Sequence, residues 1–200
     1  MATPASASPH EGVQREFLAS VLPIGAGIVL SALYFRIDVF LLELWRGAAD
    51  VGAYNAVFRL VEAMRLVPAA VLAVMLPSLF QARTRQLLAK VSLMLTLGAA
   101  ASVAALWPFA TPLVSLVYGP DYADAAGTFR ILLLSFPLMS LNYALTSQLI
   151  EWHGHRTYAG ICAGALVVNV LLNARFITTL GMEGAAWATL CTEVVLTAGC

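Results

Sequence analysis

The sequence predicts an all-α, multi-pass transmembrane helical bundle of about six spans, and two observations carry this prediction. Hydrophobic residues make up 60% of the 200 residues, whereas charged residues make up only 11%. A soluble domain has about 25% charged residues, so this chain has too few charges to cover a water-facing surface. Six apolar stretches also approach or exceed the roughly 20 residues that a helix needs to cross a bilayer. They cover residues 17–44, 51–79, 87–110, 125–150, 157–177 and 184–200.

The first three predicted spans are bounded by polar or helix-breaking residues. Residues 1–16 are small and polar, so we expect a disordered N-terminus before the first span. A polar connection at 45–50 leads to the second span, which ends near Pro77. We expect Pro108 and Pro112 to end the third span, because proline lacks the N–H that a helix needs.

The last three predicted spans are separated by short connections. Gly119 and Pro120 mark a turn before the fourth span. Residues 151–156 connect the fourth span to the fifth, and residues 179–184 precede the sixth, which is still apolar at Cys200.

Basic residues in the connections predict the orientation of the bundle. In an alternating topology five of them fall on one side and three on the other. The first group is Arg15, Arg83, Arg85, Lys90 and Arg156, and the second is Arg46, Arg130 and Arg175. The side richer in basic residues faces the cytoplasm. We therefore expect a protein of the cell's inner or plasma membrane with both termini in the cytoplasm.

Charged residues interrupt the first two predicted spans. They are Arg36, Asp38, Arg59, Glu62 and Arg65. A charge at the bilayer centre costs about 2.5–3.5 kcal/mol, so such residues usually face a bundle interior or a watery cavity. At a rise of about 1.5 Å per residue, Arg36 and Arg59 lie at similar depth on either side of the turn near Gly47. These five residues are the candidate substrate-binding residues.

Two interpretations of this group stay open. In the first, Asp38 pairs with Arg59, Glu62 pairs with Arg65 or Arg59, and the pairs only hold helices together. In the second, the arginines face an aqueous cavity and bind an anion. Three arginines against two carboxylates leave one excess positive charge, and the planar arginine fork suits phosphate.

The later spans carry a second candidate group. Asn169 and Asn173 are four residues apart and share one helix face. Glu193 in the last span falls at about the depth of Asn169. These residues either hydrogen-bond between helices or form a polar ion relay. In the fifth span, Gly160 and Gly164 have the spacing that allows close helix approach.

Several function classes are disfavoured by what the sequence lacks. It has no metal-ligand spacing, no nucleotide-binding loop and no hydrolase motif. We therefore predict no enzyme activity, no metal and no cofactor, and expect any work to draw on an H⁺, Na⁺ or substrate gradient. The formal net charge of +0 argues against nucleic-acid binding.

Four motifs, in order along nearly the whole chain, resemble those of a known transporter family. They lie at 34–39, 51–62, 117–122 and 181–189, with Asn169, Asn173 and Glu193 in the last two spans. Together they resemble the polysaccharide and oligosaccharide-lipid flippases, including O-antigen flippases, of the multidrug/oligosaccharidyl-lipid/polysaccharide exporter superfamily. Residues 17–200 align with the second six-helix lobe of such proteins, so we expect a fragment of a longer transporter.

The resemblance implies a function in the biosynthesis of cell-surface polysaccharide. Family members have two six-helix lobes around a central cavity, and they translocate undecaprenyl-pyrophosphate-linked oligosaccharide across the lipid bilayer. The pyrophosphate would meet Arg36 and Arg59. Implied partners are a missing first lobe or a second copy, together with the polymerase and glycosyltransferases of the pathway. Two alternatives stay open: a lobe of a cation-coupled multidrug antiporter, and a non-transporting membrane scaffold of a glycan-synthesis complex.

Overall fold

The computed structural model describes the backbone of residues 9–81, 85–152 and 154–200, and side chains within 21–75, 86–152 and 154–200. Within these ranges the chain is helical and has no strand, which confirms the predicted all-α bundle of membrane type. The helices are α1 (Pro9–Arg46), α2 (Ala48–Gln81), α3 (Arg85–Leu106), α4 (Ala110–Tyr118), α5 (Ala126–Glu151), α6 (His155–Leu180) and α7 (Met182–Gly199). Residues 1–8 of the N-terminus that we expected to be disordered lie outside the described residues, and α1 begins at Pro9.

Four stretches of the described chain are long and apolar enough to cross a membrane. They are Val21–Arg46, Gln86–Tyr118, Pro120–Glu151 and His155–Leu180. α2 carries three charged residues near its middle, and α7 is short and carries Glu183 and Glu193. The six predicted spans therefore correspond to six long helices, four of which have the composition of a membrane crossing by themselves.

The connections between several helices are shorter than the sequence suggested. A single residue, Gly47, links α1 to α2, with a φ of 86°. Another single glycine, Gly181, links α6 to α7, with a φ of 61°. Both conformations are open to glycine at little steric cost. The predicted loops at 45–50 and 179–184 are therefore mostly helical.

The helix of the third span ends just before Pro108, as expected, but the apolar stretch does not end there. Pro108 lies in a 3₁₀ turn, Trp107–Phe109, between α3 and α4. Pro112 lies in the first turn of α4, where the missing N–H leaves no intrahelical hydrogen bond unmade. The apolar stretch consequently runs on to Tyr118, beyond the expected end at residue 110.

The centre of the bundle is α5, which packs against α2, α3 and α7. Its aromatic and aliphatic side chains form the main core with Tyr54 and Phe58 of α2. Of the four candidate spans, that containing α5 is the most buried, at 56%, and that of α1 the least, at 11%. α1 packs mainly on α6 and leaves its other side uncovered in the described structure.

Close helix approach does not use the predicted glycine pair. A Cβ built at Gly160 or Gly164 would meet no atom within 4 Å, so both glycines face open space. Instead, Gly27 of α1 lies against the ring of Tyr158, and Gly184 of α7 lies against the backbone of Phe176. The spacing of small residues indicated a packing face, but the rotation of α6 turns that face outward.

Candidate functional site

The ion pair on the outer side of α1 and α2 joins Arg36 to Glu62. Arg36 Nη2 donates to Glu62 Oε1 at 2.7 Å, and the two side chains are 51% and 29% exposed. The Arg36 guanidinium also lies 5.5 Å from the centre of the Phe58 ring. The expected pairing of Glu62 with Arg65 or Arg59 is therefore wrong, because the long Arg36 side chain reaches Glu62 from the neighbouring helix.

The expected ion pair between Asp38 and Arg59 is also absent. Asp38 is buried, whereas Arg59 is exposed and has no hydrogen-bond or ion-pair partner among the described residues. Position along the helix axis predicts how deep each residue lies in the bundle, but it does not predict which face of the helix the residue occupies. Residues two apart on a helix point about 200° apart, so Arg36 faces outward while Asp38 faces the core.

Asp38 is held in the core by hydrogen-bond donors without a basic partner. The Tyr54 hydroxyl donates to Asp38 Oδ2, and the Val39 N–H donates to Oδ1 at 2.8 Å. Tyr54 Oη also lies 3.5 Å from Thr189 Oγ1, which connects this pair to α7. Comparison of depths could have identified Tyr54 as a partner of Asp38. Tyr54 lies seven residues after Gly47 and Asp38 lies nine residues before it, so the two are at similar depth.

Glu193 is the second buried carboxylate of the bundle. Asn142 Nδ2 donates to Glu193 Oε2 at 2.8 Å and to the Glu193 backbone carbonyl at 2.9 Å. Thr197 Oγ1 donates to Asn142 Oδ1 at 2.8 Å. Asn142, on α5, thus fixes the position of the Glu193 side chain.

The two asparagines of α6 lie where the sequence placed them. Asn173 Nδ2 donates to Asn169 Oδ1 at 2.8 Å, and Asn169 Nδ2 donates to Thr192 Oγ1 at 3.0 Å. Asn169 is therefore level with Glu193, as expected from depth. Asn173 Oδ1 is buried without a hydrogen-bond partner among the described residues.

These contacts form one polar layer across the bundle. We define the polar layer as Asp38, Tyr54, Asn142, Asn169, Thr189 and Glu193. Its α7 members and Thr192 lie within about one helical turn, or ~6 Å, of each other. Five helices contribute to the layer, and the two candidate groups of the sequence meet in it.

A cavity of about 270 Å³ opens beside the polar layer. Its polar lining includes Ser31, Tyr34, Arg65, Asn142, Tyr143 and Glu193. The Arg65 guanidinium lies 4.0 Å from the centre of the Phe35 ring, and Arg65 and Glu193 line the same cavity. Arg65 is thus the candidate arginine that the fold brings into a cavity, whereas Arg36 and Arg59 are exposed and do not line it.

The cavity has the chemistry of a site for a polar ligand. It combines a cation, a carboxylate, an amide and several hydroxyl groups with apolar walls, as ligand sites usually do. Arg65 and Glu193 were each predicted as candidates from the sequence, but nothing in it indicated that they line the same cavity. Tyr34 and Tyr143 were missed, because a tyrosine in an apolar span usually indicates packing or an interface position.

No known protein family, curated protein or solved structure matches this chain. The flippase resemblance therefore rests on the sequence motifs alone.

Proposed function

We propose that this chain is part of a membrane transporter that flips undecaprenyl-pyrophosphate-linked oligosaccharide for polysaccharide biosynthesis. The observation that carries the proposal is the polar cavity containing Arg65 and Glu193 inside a membrane-type bundle. Ionisable residues within membrane segments usually mark substrate or ion pathways. Arg65 offers a planar fork of donors to a phosphate group, and the cavity hydroxyls offer partners to sugar hydroxyls.

The outer side of α1 and α2 supports the same proposal. Arg36, Arg59 and Glu62 are exposed or half-exposed there, within apolar helices. Hydrocarbon covers such charges only at a high cost. We propose that this side meets water and a second lobe, supplied by a longer chain or by a second copy, so that the charged face forms another wall of the pathway.

The test is translocation of a fluorescent lipid-linked oligosaccharide by the full-length transporter in lipid vesicles. Arg65→Gln should abolish translocation, because the cavity loses its cation. The matched control is Arg130→Gln, since Arg130 donates to Thr111 at 3.1 Å and does not line the cavity. Arg36→Ala and Arg59→Ala test the outer wall in the same assay. Unchanged translocation in the Arg65 variant, at equal expression, contradicts the proposal.

A second candidate, a cation-coupled multidrug antiporter, is favoured by a different observation. Asp38 and Glu193 are both buried carboxylates without an ion-pair partner within the described structure. Tyr54 donates to Asp38, and Glu193 shares its cavity with Tyr34 and Tyr143. Such carboxylates suit binding of H⁺ or Na⁺. Drug-resistance profiles separate the two candidates: loss of resistance in Glu193→Gln, with unchanged oligosaccharide translocation, favours the antiporter. A non-transporting scaffold would transport neither oligosaccharide nor drug, and it would still bind its pathway partners in the Arg65→Gln and Glu193→Gln variants.

We also propose a location in the inner or plasma membrane with both termini in the cytoplasm. The excess of basic residues on one side of the alternating topology supports this orientation. Two reporter enzymes are fused after Cys200, one active only in the cytoplasm and one active only outside it. We expect activity from the cytoplasmic reporter alone. Activity of a reporter that requires the outside compartment contradicts the orientation.

A further inference from the structure

A second space, which is apolar, lies between α2 and α3. It has a volume of about 290 Å³, and Met64 and Val67 of α2 and Met94 of α3 line its sides. The buried ring of Phe136 from α5 also lines it. Beside this space, α2 and α3 pack against each other and against α5 through a small apolar cluster that includes Leu72 and Leu88. We call this space the α2–α3 groove.

The groove opens on the outer surface of the bundle and contains no unpaired polar group. Val67 and Met94 at its rim are 65% and 72% exposed. Its one hydroxyl, that of Ser102, donates to the Gly98 carbonyl at 2.9 Å and needs no ligand. A Cβ at Gly98 would meet no atom within 4 Å, so the groove is open at that point. Hydrocarbon suits these walls, and flexible methionines adapt to its shape.

A cation follows the groove along the same face of α3. Met94, Gly98 and Ser102 are spaced four residues apart, and Lys90 is the next position of this row. Lys90 lies about 6 Å beyond Met94, near the start of α3. It is exposed and has no ion pair in the part of the chain that the structure describes. An apolar groove that ends at a lysine matches a lipid with an anionic headgroup.

We propose that the α2–α3 groove binds one acyl chain of an anionic phospholipid of the surrounding bilayer, with the lipid phosphate at Lys90. The apolar lining contacts the chain, and the lysine selects the headgroup. The site lies outside the polar cavity and shares no lining residue with it. The inference therefore does not depend on the proposed transport function.

The experiment is photolabelling of the full chain in bilayer nanodiscs with a phosphatidylglycerol that carries a photoactivatable acyl chain. Labelled residues are mapped by mass spectrometry. We expect labels to concentrate at Val67 and Met94, above the level at Val167 and Leu171, which are exposed apolar residues of α6. Equal labelling of all four positions overturns the proposal.

Two variants that fill the groove make the test specific. Gly98→Phe and Ser102→Phe should reduce labelling of Val67 and Met94 to the level of α6. The matched control is Gly160→Phe, because Gly160 is likewise an exposed helical glycine with no atom near its Cβ. Helix content and elution volume show that each variant folds. Undiminished labelling in both folded groove variants overturns the proposal. The proposal is also overturned if the groove takes no lipid label and a Met94→Cys variant instead cross-links two copies of the chain at that position.

The headgroup assignment has its own arm. Lys90→Gln should lower labelling by phosphatidylglycerol about fivefold, since a lysine near the membrane surface contributes about 1 kcal/mol to anionic-lipid binding. Labelling by the matched phosphatidylcholine probe should not change. An equal response of the two probes to Lys90→Gln overturns the role of the lysine.

Discussion

Asp38 is a carboxylate kept inside the bundle by neutral donors. Burying an ionised carboxylate is costly unless hydrogen bonds replace its water. The Tyr54 hydroxyl and the Val39 N–H supply these bonds, and no arginine reaches Asp38 within the described structure. The stability of this site should therefore depend more on Tyr54 than on any of the nearby arginines.

Removal of the Tyr54 hydroxyl is predicted to destabilise the protein more than neutralisation of Asp38. Tyr54→Phe leaves a buried carboxylate one donor short, which should cost about 1–3 kcal/mol. Asp38→Asn keeps an oxygen acceptor for the hydroxyl and should cost less. Thermal unfolding in detergent measures both. Tyr118→Phe, at a half-buried tyrosine that is not part of the core cluster, is the control and should change stability by less than about 0.5 kcal/mol. The reverse order of the two core variants contradicts this account.

Which charged residue faces which space could not be read from the sequence. The excess of buried charge was visible, and so was the common level of Arg36 and Arg59. The rotation of each helix about its axis could not be predicted, because apolar residues lie on all sides of α1 and α2 and leave no distinct polar face to orient them. Asn169, Asn173 and Glu193 were placed correctly because i,i+4 spacing fixes a shared face and short links fix depth.

At the scale of elements, α6 and α7 approach each other closely at Gly184. A Cβ there would lie 2.2 Å from the Phe176 carbonyl oxygen, which belongs to the backbone and cannot rotate away. Gly184→Ala is thus predicted to destabilise the bundle by about 1–3 kcal/mol through overpacking. Gly160→Ala is the matched control. It should gain about 0.5–1 kcal/mol, because Gly160 faces open space in a helix. Equal unfolding temperatures for the two variants are the result that would contradict close packing at Gly184.

The single-residue link between α1 and α2 gives another prediction. Gly47 has a φ of 86°, and a side chain in the left-handed region costs about 1–2 kcal/mol. Gly47→Ala should lower stability by that amount, measured by denaturant unfolding in detergent. Gly52→Ala, five residues later inside α2, should be neutral or stabilising. A neutral Gly47→Ala would show that the link relaxes into another turn.

The existence and order of the helices could be predicted well, but their ends could not. Long apolar stretches leave a membrane chain little choice besides helix, since every backbone polar group needs an internal partner. The same requirement extends α1 through the polar residue Arg46, so the predicted loop at 45–50 was too long. Pro112 lies in the first turn of a new helix, α4, where proline is tolerated. Breaker residues indicate where a helix path changes, and the structure decides whether it stops.

For the whole molecule, the polar groups of α1 and α2 are the feature on which a transport pathway rests. The two helices carry the exposed ion pair of Arg36 and Glu62. They also contribute Tyr34 and Arg65 to the cavity beside the polar layer. Polar groups on a helix hairpin within a membrane require water or a polar partner. This arrangement is the basis for proposing a transport pathway here.

A transport pathway through this bundle requires that water reach the cavity. In a background with Cys162, Cys191 and Cys200 replaced by alanine, Tyr143→Cys is compared with Val167→Cys. Both positions are exposed and lie near the level of the polar layer, but Tyr143 lines the cavity and Val167 faces outward from α6. The measurement is labelling by a membrane-impermeant thiol reagent in native membranes. We predict rapid labelling at position 143 and none at position 167. An unreactive cysteine at position 143, in a folded protein, would contradict an aqueous pathway through this bundle.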